Sequence, residues 1–509
     1  MNYFVNENIF SLNSGTEFSA ISRVKLFKQN GVAAKMLTRN YNPELVDDTE
    51  RVGLAANDVL NMYSFFQEIT SIEKKDVDVR YTDAIDKNMY QIEGIDPNKS
   101  LIHYHGRTVG QVDIAPGTVG LVGAIEYFND FNDLVAKDIW DRRGFKSSTQ
   151  YYHPDGKEGA QVFFNAKGEP KIEITRMNID GQLHNTMYKL VHYKGHAWRF
   201  NTENEMFAFF MNEITSQEPS VLINDRPSLI NEVASVKNAK GKWQFLHNAH
   251  TVNTAQLGGS NKVYDYMKPL FKDHIRDFDG VIVPTEQQRK EITKFFGFDH
   301  VLVLGDTYTV KHDLATEPKR DLNKIVFLGR ISPEKQPNQA LEVFAKAKEK
   351  LPDLHLEFYG YASDNALKQS LSDLAKKLNV ENAVTYNGYQ DAAKLTEQLK
   401  DAGALLTVSM SEGFGANIVE AMSYGIPVFG YDVKYGLSSL IQNGANGYLE
   451  PLNASQVLAD DLVKVLSGDA KEWTQLSQKA SATAEGFNAP AAWKLWQKEQ
   501  SKTTNLFVK

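Results

Sequence analysis

The chain of 509 residues contains no cysteine. That excludes a disulfide framework, a thiolate nucleophile and any cysteine-ligated metal. Nowhere does it hold a run approaching the ~20 apolar residues of a membrane helix. Its opening residues, Met1-Asn-Tyr-Phe-Val-Asn-Glu-Asn, lack the basic stretch and the small-residue cleavage site of a secretion signal. A cytoplasmic location is therefore expected, with at most peripheral association at the inner face of a membrane. Excess positive charge is also missing: 56 Lys and Arg against 64 Asp and Glu leave a net charge of −8. This argues against nucleic acid as a partner, although a local basic groove would still admit a polyanionic ligand. No short-period repeat or low-complexity tract is present. With 42% hydrophobic and 24% charged residues the composition is that of a globular protein, and the length suits about three domains.

The chain opens as β-loop-α-β. Tyr3-Phe-Val-Asn is a strand, Ser14-Gly-Thr-Glu17 a loop, Phe18 to Phe27 has helical periodicity, and Gly31 to Thr38 holds a second strand. From Lys146 to Phe200 the pattern changes to short alternating runs separated by turn pairs such as Asp155-Gly156 and Asp180-Gly181, which are hairpin signals. Alternation of strands and helices resumes near 219 with Val221-Leu-Ile-Asn, Trp243 to His250 and Gly280 to Thr285. A polar linker, about 305 to 320, leads into a second α/β pattern. Its strands are expected at 324–329, 354–359, 384–386, 404–409, 427–431 and 447–449. The expected fold is α/β, with two Rossmann-like domains facing a cleft and an antiparallel β-rich domain inserted in the N-terminal half. The expected spans are 1–64 with 216–305, the insert 65–215, the second Rossmann-like domain 306–482, and a last helix 483–509 that packs back on the first domain. The insert is a candidate for self-association, giving a homo-oligomer, and for docking a large acceptor. Within that reading Arg142, Arg143, Lys146, Lys171 and Arg176 are candidates for meeting phosphates.

The chemistry concentrates in one segment, Ser411-Glu-Gly-Phe-Gly-Ala-Asn-Ile-Val-Glu420. An apolar strand precedes it and a helix begins after Gly415. Glu412 then lies on the loop at the carboxyl end of a strand and Glu420 on the following helix. In open α/β sheets that edge is where ligands bind. Glycine at 413 and 415 lets the backbone approach a bound group, and the helix start offers free N–H groups to an anion. A second strand, Lys324 to Gly329, ends in Arg330-Ile-Ser-Pro-Glu-Lys335, which places Arg330 and Lys335 at the same edge. A guanidinium and an ammonium facing a helix N-terminus suit a diphosphate. The paired carboxylates of a hydrolase would flank one bond; Glu412 and Glu420 face a cationic pocket instead. His247 and His250 follow the strand at Trp243. The pair lacks a third ligand for zinc.

The E-x7-E pattern in its strand–loop–helix frame resembles the signature of family 4 retaining GT-B glycosyltransferases, across nearly the whole chain. Ser14-Gly15-Thr-Glu17, the inserted β-rich block, His247-x-x-His250 and Asp432-Val-Lys-Tyr-Gly436 narrow the resemblance. They are similar to poly(glycerol-phosphate) and poly(ribitol-phosphate) wall teichoic acid α-glycosyltransferases. The same architecture occurs in enzymes that glycosylate serine-rich adhesins. The resemblance implies a UDP-sugar donor, with UDP-glucose first and UDP-N-acetylglucosamine second, and a polyol-phosphate polymer as acceptor. Its alternatives are transfer to Ser or Thr of an adhesin, or a non-catalytic glycan-binding partner subunit. By the same resemblance, Arg330 and Lys335 hold the diphosphate and Glu412 bonds the sugar hydroxyls. The backbone at Phe414, Gly415 and Ala416 touches sugar and phosphate. Glu420 takes the ribose, the backbone beside Tyr389 reads the base, and Gly15 with Thr16 approaches from the first loop. His250 is expected to act on the sugar and His247 to serve a more structural part. No metal or other cofactor is expected. A metal-dependent transferase needs Asp-x-Asp at the carboxyl end of a strand, and Asp277-Phe-Asp279 and Asp76-Val-Asp78 each precede one.

Overall fold

The computed structural model describes residues 1–74, 84–86, 88–252, 261–310, 312, 320–362, 364–468 and 470–509. Asp76, Asp78 and half of the expected linker lie outside the described residues. The chain divides into two compact units. One comprises Met1–Asn13, Gly31–Lys240 and Val508–Lys509, the other Ser14–Asn30 and Gly241–Phe507.

In the first unit the strands Val221–Asn224, Asn2–Asn6, Ala34–Thr38 and Val59–Asn61 lie side by side in that order, all parallel. Asn2–Asn6 and Val221–Asn224 are buried along their full length, as strands covered on both faces must be. The same unit holds a ten-stranded antiparallel sheet in which each strand pairs with the next in sequence, from Gln91–Asp96 to His196–Phe200. This meander begins some 55 residues before the alternating runs that the sequence made plain. Its first hairpin after that edge, Lys99–Tyr104 with Arg107–Ile114, turns at His105 and Gly106, both at positive φ. One apolar layer gathers Ile85, Ile102, Val112, Val122 and Ile125. Farther along the sheet, Phe163 packs edge-on against Tyr41 and tilted against Tyr63, which joins sheet and parallel strands through aromatic contacts. The helix Glu203–Gln217 follows the sheet and crosses the expected boundary at 215.

The five basic residues of the insert are corrected by the structure. Arg142 is buried and pairs with Glu44 at 2.7 Å and Asp47 at 3.4 Å. Arg143, also buried, clamps Asp141 at 2.7 Å and donates to the Ile69 carbonyl. Lys146 pairs with Asp138, Lys171 with Glu68 and Glu169, and Arg176 with Glu158. A buried cation must be neutralised where it sits, so Arg142 and Arg143 brace the sheet instead of presenting charge to a polymer, and the other three each already face a carboxylate.

The second unit contains three parallel strands in the order His300–Val303, Gly280–Val283, Gly241–Phe245. It also contains a six-stranded parallel sheet. That sheet runs Val384–Gly388, His355–Tyr359, Asp321–Leu328, Ala402–Thr407, Val428–Tyr431, Gly447–Glu450. Its order, third-second-first-fourth-fifth-sixth, is that of a dinucleotide-binding fold. The order reverses between Asp321–Leu328 and Ala402–Thr407, so the loops that follow these two strands diverge and leave a crevice. Ala402–Thr407 is wholly buried, as befits the central strand. The helix Ala489–Gln500 packs Trp493 and Trp496 edge-on against Phe27 of helix Gly15–Gln29, with Phe507 on the same ring. No helix among the described residues is long and apolar enough to cross a membrane.

Candidate functional site at the switch point

The two strands flanking the reversal supply the predicted groups. After Asp321–Leu328 comes Arg330, half-exposed and paired with Glu334. A single 3-10 turn, Pro333–Lys335, then places Lys335. After Ala402–Thr407 the Met410 N–H donates to the Glu334 carbonyl at 2.9 Å, which zips the loops together. The Lys335 ammonium forms an ion pair with the Glu412 carboxylate, and both are largely shielded from solvent. Each charge therefore holds the other at the crevice.

Glu412 is fixed through its backbone as well. Its N–H donates to the Lys434 carbonyl at 3.0 Å, and its carbonyl accepts from the N–H groups of Tyr435 and Gly436. Gly413 passes so close to the 247–248 backbone that a Cβ would lie 1.9 Å from the His247 oxygen. Gly415, at φ 90°, turns the chain into helix Ala416–Ser423; other residues rarely adopt that geometry. The first-turn N–H groups of such a helix have no intrahelical acceptor and attract an anion. The Asn417 side chain donates to the Leu328 carbonyl at 2.5 Å and fixes the helix start beside the neighbouring strand. Phe414 turns its ring into the core against Phe487, leaving its backbone as the group facing the loop.

Glu420 lies one turn into this helix. Burial pushes its carboxyl up to about 7, because the site penalises a charge that water would stabilise. The native protein then binds a proton more tightly than the unfolded chain between pH 4.5 and 7. Stability contributed by this group falls as pH rises through that window and levels off above it. Glu420→Gln is expected to remove that slope. In urea unfolding at pH 5 and pH 8 the variant gains up to about 3 kcal/mol relative to wild type at the higher pH. An identical difference at both values would contradict the assignment.

The two histidines have different surroundings. His247 stacks on Phe245 at 4.6 Å and lies 3.3 Å from Asp306, so it has structural partners. His250 is fully buried. Its ring stacks with Phe271 at 5.5 Å and with Tyr435 at 5.8 Å, and lies edge-on to Phe296. Burial, followed by the nearby Lys434 ammonium, pushes its pKa down to about 4, so it is neutral at pH 7. Gly15 and Thr16 open their helix behind a Ser14–Glu17 capping box, with Glu17 accepting from the Ser14 N–H at 2.8 Å. Helix and strand-end are joined by Ser19, which donates to the Asp306 carbonyl at 2.6 Å. Tyr389 follows strand Val384–Gly388, its ring 6.4 Å from that of Tyr361. Asp277 pairs with His274, and Asp279 accepts from the Lys242 N–H and the Asn505 amide; both tie down loops before their strand.

Sequence reasoning missed Glu291 and Glu334. Glu291 lies on helix Glu286–Phe295 among the buried positions Gln288 and Ile292. Its carboxylate meets the Lys434 ammonium at 3.0 Å and accepts from the Tyr435 hydroxyl at 2.8 Å. A carboxylate on the apolar face of a helix is the one signal the sequence offered.

Parallel sheets, a switch-point crevice with cations and two glutamates, and a separate antiparallel sheet make up a GT-B fold. Residues 311–483 match the family described as Glycosyl transferases group 1. Residues 10–194 match a family of accessory Sec system proteins. The chain is 23% identical, over 88% of its length and 87% of the relative's, to the UDP-N-acetylglucosamine–peptide N-acetylglucosaminyltransferase GtfA subunit of Streptococcus agalactiae. It is 24% identical to the poly(ribitol-phosphate) alpha-N-acetylglucosaminyltransferase of Staphylococcus aureus, over 89% and 90% of the two chains. With the poly(glycerol-phosphate) alpha-glucosyltransferase of Bacillus subtilis it shares 22% identity over 97% of this chain and 74% of the other. The fold matches the pneumococcal O-GlcNAc transferase GtfA with UDP and GlcNAc at a TM-score of 0.82, 21% identity and 98% coverage of both chains. It matches a TarM mutant of S. aureus with UDP at 0.78, 19% identity and coverage of 97% and 98%. The expected glycosyltransferase resemblance and GT-B fold are thereby borne out.

Proposed function

We propose that the protein is a retaining transferase that moves a hexose from a UDP-sugar onto a polyol-phosphate polymer of the poly(glycerol-phosphate) type, with glucose as the sugar. The observation that carries this reading is the Lys335–Glu412 pair at the sheet's switch point, beside the helix that bears Glu420. A cation suits the departing diphosphate, and a carboxylate suits sugar hydroxyls, which can only donate to it. Retention without an enzyme nucleophile requires attack from the face the diphosphate leaves. The protein's contribution is then positioning and stabilisation of the leaving group. A polypeptide acceptor is the second reading. The internal pairing of Arg142, Arg143, Lys146, Lys171 and Arg176 favours it, since these cations are already neutralised by the protein's own carboxylates.

The test is incubation with radiolabelled UDP-glucose and UDP-N-acetylglucosamine and three acceptors: poly(glycerol phosphate), poly(ribitol phosphate) and a serine-rich peptide. Label from UDP-glucose is expected on poly(glycerol phosphate). Label confined to the peptide would replace this reading with the second, and no label anywhere would favour a non-catalytic partner subunit. Because Arg330 and Lys335 take the part of a metal, turnover is expected to persist in excess EDTA. Loss with EDTA, restored by manganese or magnesium, would contradict this.

We also propose that the antiparallel sheet governs assembly as a homo-oligomer. Its outer strands, Gln91–Asp96 and His196–Phe200, are largely exposed, and open strand edges can pair with another copy. Proline substitutions at Ile95 and Trp198 are expected to reduce the mass in solution and the transfer to long polymer while leaving donor hydrolysis nearly unchanged. Collapse of donor hydrolysis with assembly intact would overturn the assignment.

A further inference from the structure

The Lys434-Tyr435 segment is joined to three elements of the site at once. Its backbone pairs with Glu412. Its side chains meet Glu291 on helix Glu286–Phe295. The Tyr435 ring lies parallel to the His250 imidazole, within 5°, with its hydroxyl 3.4 Å from Nδ1. The same helix is fastened to the histidine segment from the other side, because Gln288 donates to the Asn248 carbonyl at 3.0 Å.

The hydrogens in this cluster are determined by counting. A tyrosine hydroxyl has one hydrogen and a carboxylate has none. Tyr435 Oη gives its hydrogen to Glu291 Oε2 at 2.8 Å, so toward His250 it can only accept. Nδ1 must then carry the imidazole hydrogen, and Nε2 keeps a lone pair. Nε2 is buried and has no hydrogen-bond partner among the described residues. Burial and the Glu291 carboxylate hold the Tyr435 hydroxyl protonated, so the donor does not reverse near neutral pH. Among the described residues, the remaining groups near His250 are Phe271 and Phe296, which carry no charge, and Tyr264, whose N–H donates to the His250 carbonyl at 3.2 Å. Lys434 and Glu291 are the charged pair beside it.

We propose that Glu291 is a positioning residue which, through the Tyr435 hydroxyl, fixes His250 in the Nδ1–H tautomer. Its ion pair with Lys434 ties that tautomer to the loop carrying Glu412. An uncharged Nε2 lone pair is then directed by the protein before any ligand binds, and the histidine and the sugar-binding glutamate move as one unit. This rests on the transfer reading for its functional meaning, but the tautomer does not depend on turnover, so the two can fail separately.

The experiment uses the full chain with ¹⁵N-labelled histidine, followed by NMR from pH 3.5 to 8. The variants are Tyr435→Phe, Glu291→Gln, Lys434→Met and the neutral double variant Glu291→Gln/Lys434→Met. Wild type is expected to show His250 as the Nδ1–H form. Tyr435→Phe should give a mixture of tautomers and lower turnover roughly tenfold with the KM for UDP-sugar nearly unchanged. Lys434→Met leaves Glu291 facing the ring and should raise the His250 titration. Glu291→Gln leaves Lys434 unbalanced and should lower it, while the double variant, which buries no unpaired charge, should fall between the two. An Nε2–H form in wild type, or a tautomer unmoved in folded Tyr435→Phe and in the double variant, would overturn the proposal whether or not transfer is observed.

Discussion

Lys335→Ala and Arg330→Ala are each expected to lower turnover by at least ~100-fold, the scale for removing one group that stabilises charge developing on a leaving atom. Lys335 should also show a cost that Arg330 does not. Its ammonium is shielded and bound to Glu412, so its loss leaves that carboxylate without its partner and loosens the loop that the Met410–Glu334 bond holds. Lys335→Ala is therefore expected to raise the KM for UDP-sugar as well as lower kcat. Arg330 is half-exposed and paired with the equally exposed Glu334, an arrangement that contributes little to stability. Its alanine variant should unfold at the same urea concentration as wild type. Steady-state kinetics beside urea unfolding curves provides the check. Near-normal rates in both folded variants would remove the diphosphate assignment.

His250→Phe is expected to lower kcat about 100-fold while leaving UDP affinity within about twofold. Phenylalanine keeps the stack between Phe271 and Tyr435, so the variant removes the lone pair and little of the packing. A pKa held at about 4 by burial and by Lys434 has a second consequence. Protonation of His250 should not produce an acid limb near the ordinary histidine value of 6.5 in the wild-type profile; any limb from this group lies near pH 4. Calorimetric titration with UDP and a kcat–pH profile separate the two effects. Loss of UDP binding with unchanged kcat would place His250 on the nucleotide instead of the sugar.

The elements most legible in the sequence were those with a single physical reading. Ala402–Thr407 is a continuous apolar run because it is covered on both faces, and the glutamates beyond it fell where strand, loop and helix put them. The Lys335–Glu412 pair was foreshadowed only as two residues at one edge; the 3-10 turn that brings them into contact has no strong sequence signal. The early half of the antiparallel sheet falls inside the expected insert, but its separate strands were not legible because they alternate weakly and turn on pairs such as His105-Gly106. Lone basic residues gave the poorest guidance. Arg142 and Arg143 look available for phosphates in a sequence, yet each finds its acid far along the chain or within a buried corner. Glu291 is the mirror case, a helix carboxylate whose partners 143 and 144 positions away no local pattern could supply.

The central claim, transfer from a UDP-sugar with retention, is tested most directly by the anomeric configuration of the first product. Proton NMR of the sugar newly linked to poly(glycerol phosphate), recorded before any equilibration, is expected to show an α-linkage from the α-configured donor. A β-linkage, or cleavage of UDP-glucose that releases free sugar and never transfers it to any acceptor, would contradict the account.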